Sequence, residues 1–412
     1  MPTVGVVLFG DPWYNRPRQF YSTEYEVSIT HTLALSGNGR AELDELLAAK
    51  VDQRDVPGVV AEVTDREGTL YHGAFGKLDE RGSVDLPADA IFRIASMTKP
   101  VTSVAVMMLK DQGLVDLDDT VGQYLPEFNG AEVIDDFDES DSSYTTRPAA
   151  REITLRHLLS HTAGFGYDFS NYTLSKLRGR SPANALLLHD PGTRWTYGMS
   201  TRVLGTVIET VTNESLDVFF ESRIFKPLGM SDTGFHLRLE DRPRLAALFK
   251  RINGELIGES NPETYEMRVS GDTGLLSTAN DYSLFLRTLL GMGEFEGNRM
   301  FTEQSVQEMT KNQIGDLVVE MQPGAIPARS NPFPLGSGED KFGLGFQLKE
   351  GVESGGRSRG SYSWAGINNT HFWVDPKNGI AAVLLTQVLP FYDSRCIQLL
   401  LDFERCIYRN LE

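Results

Sequence analysis

The chain has 412 residues, 40% of them hydrophobic and 10% aromatic, ample for one large folded unit with an insertion or for two domains. Its formal charge of −18 argues against nucleic acid and anionic membranes as partners. Its two cysteines, Cys396 and Cys406, lie ten residues apart in one expected helix, too far along its axis for an intrachain disulfide.

Residues 1–37 read as an N-terminal extension, an arm. Tyr14, Arg16, Arg18, Tyr21 and Tyr25 are interleaved there with polar residues, without period. Val4-Gly-Val-Val-Leu-Phe9 is apolar but short, and no basic run precedes it, so it does not read as a secretory leader. The longest apolar runs fall short of a bilayer span. A cytoplasmic protein is expected. The first regular element is a helix over 40–54, with Leu43, Leu46, Leu47 and Val51 on one face. Two strands follow, over 59–63 and 69–75, joined by a turn at Asp65-Arg-Glu-Gly68.

Next comes the stretch on which the chemistry centres, Phe92-Arg-Ile-Ala-Ser-Met-Thr-Lys-Pro100. Val101, Val104, Ala105, Met108 and Leu109 recur at helical spacing, so Ser96 and Lys99 stand at i and i+3 near the start of a buried helix. A lysine in apolar surroundings is disfavoured as the ammonium and can take a proton from a neighbouring hydroxyl. Free N–H groups of the first turn favour an anion beside Ser96. Pro100 is tolerated because first-turn N–H groups lack intrahelical partners.

Residues 114–126 read as short turns. Glu132, Asp135, Asp136, Asp138, Glu139 and Asp141 crowd residues 130–152; this reads as a solvated loop, since it lacks the spacing and glycine of a calcium loop. Helices are predicted over 154–160, 201–211, 216–225 and 280–290, and a long Pro- and Gly-rich loop over 315–339. Tyr197, in Pro191-Gly-Thr-Arg-Trp-Thr-Tyr-Gly-Met-Ser200, lies at a helix entry where a phenol can face a cleft and relay a proton. From Lys341 strands return, over 342–348, 360–367, 370–374 and 381–386, and a last helix covers 392–409. On the strand carrying Ser363-Trp-Ala-Gly-Ile-Asn-Asn369, small Ala365 and Gly366 let an acyl group lie close, and a backbone N–H there can join that of Ser96 in an oxyanion hole.

Strands at both ends thus bracket a mostly helical middle. The fold class expected is α+β: an antiparallel sheet flanked by helices, with 38–113 and 341–412 forming an α/β part and 114–340 a mostly helical insertion. Two distractors are set aside. Gly356-Arg-Ser-Arg-Gly360 matches the Gly-x-Ser-x-Gly elbow, but a strand rather than a helix follows Ser358. His161 reads as a structural histidine at a helix end, hydrogen-bonded to backbone, and the seven histidines show no metal-ligand spacing.

Together, Ser96-x-x-Lys99, Tyr197 and Trp364-Ala-Gly366 resemble the three motifs of the serine β-lactamase and penicillin-binding-protein superfamily. Leu158-Leu-Ser-His-Thr-Ala-Gly164, Pro191-Gly192 and Gly274-Leu-Leu-Ser-Thr-Ala279 match in order, and the similarity runs from about Leu43 to Leu411. Within the superfamily the chain is similar to the class C β-lactamase-like family VIII carboxylesterases and their transesterase relatives. The resemblance implies a single β-lactamase-like catalytic unit over 38–412. Ser96 would be its nucleophile, Lys99 and Tyr197 its base and proton relay, and the N–H groups of Ser96 and Ile367 its oxyanion hole. Trp364, Ala365 and Gly366 would line the substrate. It implies no cofactor and no metal. Two departures matter. Met199 stands where β-lactamases and peptidases usually have Asn, and Trp364 where they have Lys or His. Both changes remove polar handles for a β-lactam or peptide carboxylate and leave an apolar rim suited to a small neutral ester. Hydrolysis of esters with small or medium acyl chains is therefore the expectation. Acyl transfer, β-lactamase or D-amino-acid peptidase activity, and a non-catalytic binding role are the alternatives. The oligomeric state is left open.

Overall fold

Short, mostly apolar strands, the central ones buried on both faces, build the sheet on which the rest is laid. The computed structural model describes residues 33–178, 186–262, 268–351 and 355–412; most of the proposed N-terminal arm lies outside these. In chain order, helix α1 (Gly37–Asp52) precedes strands β1 (Gly58–Thr64) and β2 (Thr69–Gly76), then helix α2 (Thr98–Asp111). Strands β3 (Glu132–Phe137) and β4 (Tyr144–Pro148), helices α3 (Leu155–Leu159) and α4 (Ser200–Thr212), strands β5 (Leu248–Ile252) and β6 (Glu255–Glu259), and helix α5 (Ala279–Leu290) follow. The chain closes with strands β7 (Lys341–Phe342), β8 (Gln347–Leu348), β9 (Tyr362–Gly366), β10 (Thr370–Asp375) and β11 (Ile380–Leu385) and helix α6 (Ser394–Asn410).

The main sheet has seven strands in the order β7-β8-β9-β10-β11-β1-β2, each pair antiparallel. Val60 pairs with Leu385 and Trp364 with Phe372. Both faces are covered. Val59, Ala61, Val63, Trp373, Ala382 and Leu384 meet Leu43 and Leu47 of α1 and Leu399 and Phe403 of α6. Val60, Phe372, Val374, Val383 and Leu385 turn to the opposite face, into the core that holds Tyr282 and Phe285 of α5 and the apolar side chains of α2. Each Val, Leu or Phe among these that is removed from water contributes roughly 1.5–3 kcal/mol. The α+β expectation with an antiparallel sheet made from both chain ends holds.

Three local readings change. Residues 130–152 carry a hairpin, β3 against β4, rather than a loop. Val133 is buried while all six acidic residues named above are exposed, and Asp138 closes the turn by accepting from the N–H and hydroxyl of Ser140. The single strand expected over 342–348 is a tight pair, β7 and β8, because the chain reverses through Gly343 and Gly345, with φ +97° at Gly345. The mostly helical middle also holds the hairpin β5–β6, turned at Asn253-Gly254 with φ +52° and +88°. Cys396 and Cys406 are free and buried. Among the described residues no helix is long and apolar enough to cross a membrane.

Candidate active site

Ser96 sits on a short 3₁₀ turn, Ala95–Met97, that feeds directly into α2. Every residue of α2 from Thr98 to Leu109 is buried, so the helix passes through the core and its first turn is fixed by packing. Ala95 has φ +46°, a left-handed conformation costing a non-glycine residue on the order of 1–2 kcal/mol. The turn is held by its neighbours. Arg93 O accepts from Asn368 Nδ2 and Gln387 Nε2, both at 3.1 Å, and Tyr282 OH donates to Met97 O at 2.9 Å.

The i, i+3 spacing does what the sequence expects. Lys99, 1% exposed, places Nζ 3.0 Å from Ser96 Oγ, and also donates to the carbonyl oxygen of Asp272 at 2.7 Å. Tyr197, 3% exposed and just before α4, brings its phenol oxygen 2.7 Å from Ser96 Oγ. Lys99 Nζ lies 4.9 Å from the Tyr197 ring centre and 5.3 Å from that of Tyr167. One hydroxyl therefore stands between an amine and a phenol, both within proton-transfer reach.

The strand with Trp364-Ala-Gly366 closes the other side. A Cβ on Gly366 would stand 2.3 Å from Ile94 O, so only glycine lets β9 approach the serine turn this closely. Ile367 follows at the strand end and, with Ala95, Leu248, Leu275, Thr273 and Asn368, lines a cavity of about 390 Å³. Trp364 lies deeper than the rim suggested by sequence. It is 7% exposed, and its ring packs 5.0 Å from Tyr197 and stacks on His161 at 6.4 Å. It walls the phenol, while Ala365 and Ile367 stay partly exposed.

His161 ends α3 and lies buried among Trp195, Tyr197, Phe342 and Trp364. Burial, aided by the Lys99 charge, pushes its pKa down to about 3, so the ring is neutral. Its Nδ1 has no hydrogen-bond partner among the described residues, so the expected backbone bond is absent at that atom; aromatic packing holds the ring instead. Ser358 is on the loop at the opposite end of β9 from Gly366, with Oγ accepting from Asn378 Nδ2. Among the described residues no group of His, Cys, Asp or Glu side chains is placed to hold a metal ion.

The sequence reading missed a second layer. Asp272, 1% exposed, accepts from Tyr167 OH at 2.6 Å, Ser270 Oγ at 2.6 Å and Arg202 at 3.0 and 3.3 Å. Burial raises its carboxyl, but Lys99 and Arg202, with the Ser270 and Tyr167 hydroxyls, outweigh this and hold it below the usual range. Two of its partners, Tyr167 and Arg202, lie 105 and 70 residues away in sequence. The local signs were the flanking Gly271 and Gly274, and an arginine one turn beyond Tyr197.

The Beta-lactamase family pattern matches residues 43–405. Monacolin J acid methylbutanoyltransferase of Aspergillus terreus is 27% identical over 397 residues, covering 88% of this chain and 94% of that protein. Lovastatin esterase of Penicillium rubens is 29% identical over 396 residues, covering 89% and 98%. The structure of a simvastatin synthase mutant from Aspergillus terreus superposes with a TM-score of 0.77 at 27% identity, over 90% of this chain and 95% of that one. The fold is therefore β-lactamase-like.

Proposed function

We propose that this chain, which belongs to the beta-lactamase family, is a serine esterase acting on carboxylic esters through an acyl-enzyme on Ser96. The observation that carries the reading is the placement of Ser96 Oγ, 3.0 Å from Lys99 Nζ and 2.7 Å from Tyr197 OH. Ser96 Oγ attacks the ester carbonyl carbon, and the serine proton passes through the Lys99–Tyr197 pair to the departing alcohol as the C–O bond breaks. The N–H groups of Ser96 and Ile367 face the developing oxyanion. Water then attacks the acyl carbonyl carbon, the acyl–Oγ bond breaks, the carboxylic acid leaves and Ser96 Oγ regains a proton through the same pair. The cavity of about 390 Å³ beside Ala95 and Ile367 suits a small or medium acyl chain.

A transferase reading uses the same intermediate with an alcohol in place of water. The similar proteins named above favour keeping it, since one is named an esterase and another a methylbutanoyltransferase. The buried Trp364 and the partly buried Met199 offer no charge to a β-lactam or peptide carboxylate, which weighs against those substrates. A purely binding role would leave Lys99 and Tyr197 converging on Ser96 without purpose. We place the protein in the cytoplasm, where two free buried thiols are at home, and without nucleic-acid or membrane partners given its −18 charge.

The test is intact-mass spectrometry after fluorophosphonate treatment, with turnover of short-chain p-nitrophenyl esters. One adduct on Ser96, lost together with turnover in Ser96→Ala, is the expected result; an adduct elsewhere overturns it. Product partitioning with added alcohol separates transfer from hydrolysis.

A further inference from the structure

Lys99 has two kinds of neighbour. Those that touch the reaction are Ser96 and Tyr197. Those behind it belong to a network that the reaction as drawn does not use. The loop at residues 270–274 is pinned on two sides. Thr102 Oγ1, one turn beyond Lys99 on α2, donates to Gly271 O at 2.6 Å. On the other side a Cβ at Gly271 would meet Thr201 O at 2.3 Å, so the loop backbone lies directly on α4. Asp272 thus presents two different groups. Its carbonyl oxygen takes a hydrogen bond from Lys99 Nζ, while its carboxylate turns to Arg202 of α4, Tyr167 and Ser270.

The charges that face Lys99 are few. From α4 comes Arg202, acting through Asp272; from the 270–274 loop, Asp272 itself. From the segment before α4 comes the Tyr197 phenol, from residue 167 the Tyr167 phenol, and from the end of α3 the neutral His161. Among the described residues the one full negative charge in this shell is matched by one full positive charge. A carboxylate alone behind Lys99 would favour the ammonium, which cannot accept the serine proton; a guanidinium alone would favour the free amine.

We propose that the Asp272–Arg202 ion pair is a positioning and charge-balancing pair that keeps Lys99 competent as a base. This inference rests on the esterase reading and adds residues to it. The pair sets the field at Lys99, and through Tyr167 it also fixes the ring that packs edge-on against Tyr197 at 5.3 Å. Neither member touches substrate.

Removing either end has opposite electrical consequences, which a merely structural pair would not show. Arg202→Gln leaves the carboxylate unopposed and should move the acid limb of kcat/KM to higher pH, by about one unit. Asp272→Asn leaves the guanidinium unopposed and should move it to lower pH by a similar amount. The double variant should return toward wild type, and Arg202→Lys should shift the limb less than Arg202→Gln. The limb reports the Lys99–Tyr197 pair as one unit.

The experiment is a set of pH–rate profiles on a p-nitrophenyl ester, with fluorophosphonate labelling of Ser96 run alongside. Opposite shifts, cancelling in the double variant, support the proposal. Labelled Ser96 with unmoved limbs, or with both limbs moving the same way, overturns it while leaving the esterase reading intact. Failure of wild type to label or turn over ester removes both. Arg202 is 36% exposed at its side chain, so if Asp272→Asn does not fold, Arg202→Gln with Arg202→Lys still decides by direction.

Discussion

The phenol oxygen of Tyr197 stands 2.7 Å from Ser96 Oγ across 101 residues of chain, and its ring is walled by His161 at 5.0 Å, Trp364 at 5.0 Å and Phe333 at 5.7 Å. Packing therefore holds the ring, and the proposed relay rests on the hydroxyl alone. Tyr197→Phe should keep the packing and remove only the relay. Turnover of a p-nitrophenyl ester should fall about 10²–10⁴-fold, with the melting temperature within a degree or two of wild type. A loss of turnover matched by an equal loss of stability would show that the ring, not the hydroxyl, was being tested.

Gly366 tests the strand. An added methyl would stand 2.3 Å from both Ile94 O and Thr370 Oγ1, and Ile94 cannot yield without shifting Ser96 two residues later. Gly366→Ala should lower kcat/KM at least tenfold, in line with the sensitivity of oxyanion geometry. Wild-type kinetics in this variant would show that β9 is not part of the site.

Asp281, at the start of α5, offers a pH test of stability. Burial, the dominant cause, raises its carboxyl to about 6 from 3.8, although it accepts from Asp232 N at 2.8 Å and Thr233 Oγ1 at 2.9 Å. The folded state then holds this proton more tightly than the unfolded chain does. Ionised Asp281 therefore costs stability above pH 6, and the cost disappears as pH falls toward 4. Asn can accept both hydrogen bonds through Oδ1. Asp281→Asn should stabilise the protein by on the order of 2 kcal/mol at pH 8 and by little at pH 4. Melting curves at the two pH values check this, and an equal gain at both would rule it out.

Ser358 provides the control. It lies in a Gly-x-Ser-x-Gly sequence, yet a strand follows it and its N–H and Oγ are tied to Asp375 and Asn378. Ser358→Ala should leave ester turnover within twofold of wild type.

What could be read in advance follows from the range of the forces involved. The Ser96–Lys99 relation is local, one helical turn, and helical periodicity displayed it. Strands β1, β10 and β11 were legible as short apolar runs bounded by turn residues, because both of their faces are buried by different elements. Asp272 was out of reach because its partners Tyr167 and Arg202 lie 105 and 70 residues away. Near it in sequence only the flanking Gly271 and Gly274 set this carboxylate apart from the other acidic side chains. The hairpin at Asn253-Gly254 is a different case. The Asn-Gly pair, flanked by Lys250-Arg-Ile252 and Glu255-Leu-Ile257, is a strong turn signal, and the expectation of a mostly helical insertion passed over it. The acidic stretch at 132–141 misled because charge marked its exposed face and hid Val133, which anchors it.

The position of β1 in the sheet has a consequence for synthesis. It lies between β2, made immediately after it, and β11, made some three hundred residues later, with Val60 paired to Leu385. A nascent chain that has already released Ser96, Lys99 and Tyr197 from the ribosome still lacks β9 against its serine turn and β11 against β1. The serine turn is thus enclosed only after residues 362–385 have been made, and a product ending before them carries all three side chains without the strands that hold the proposed site together.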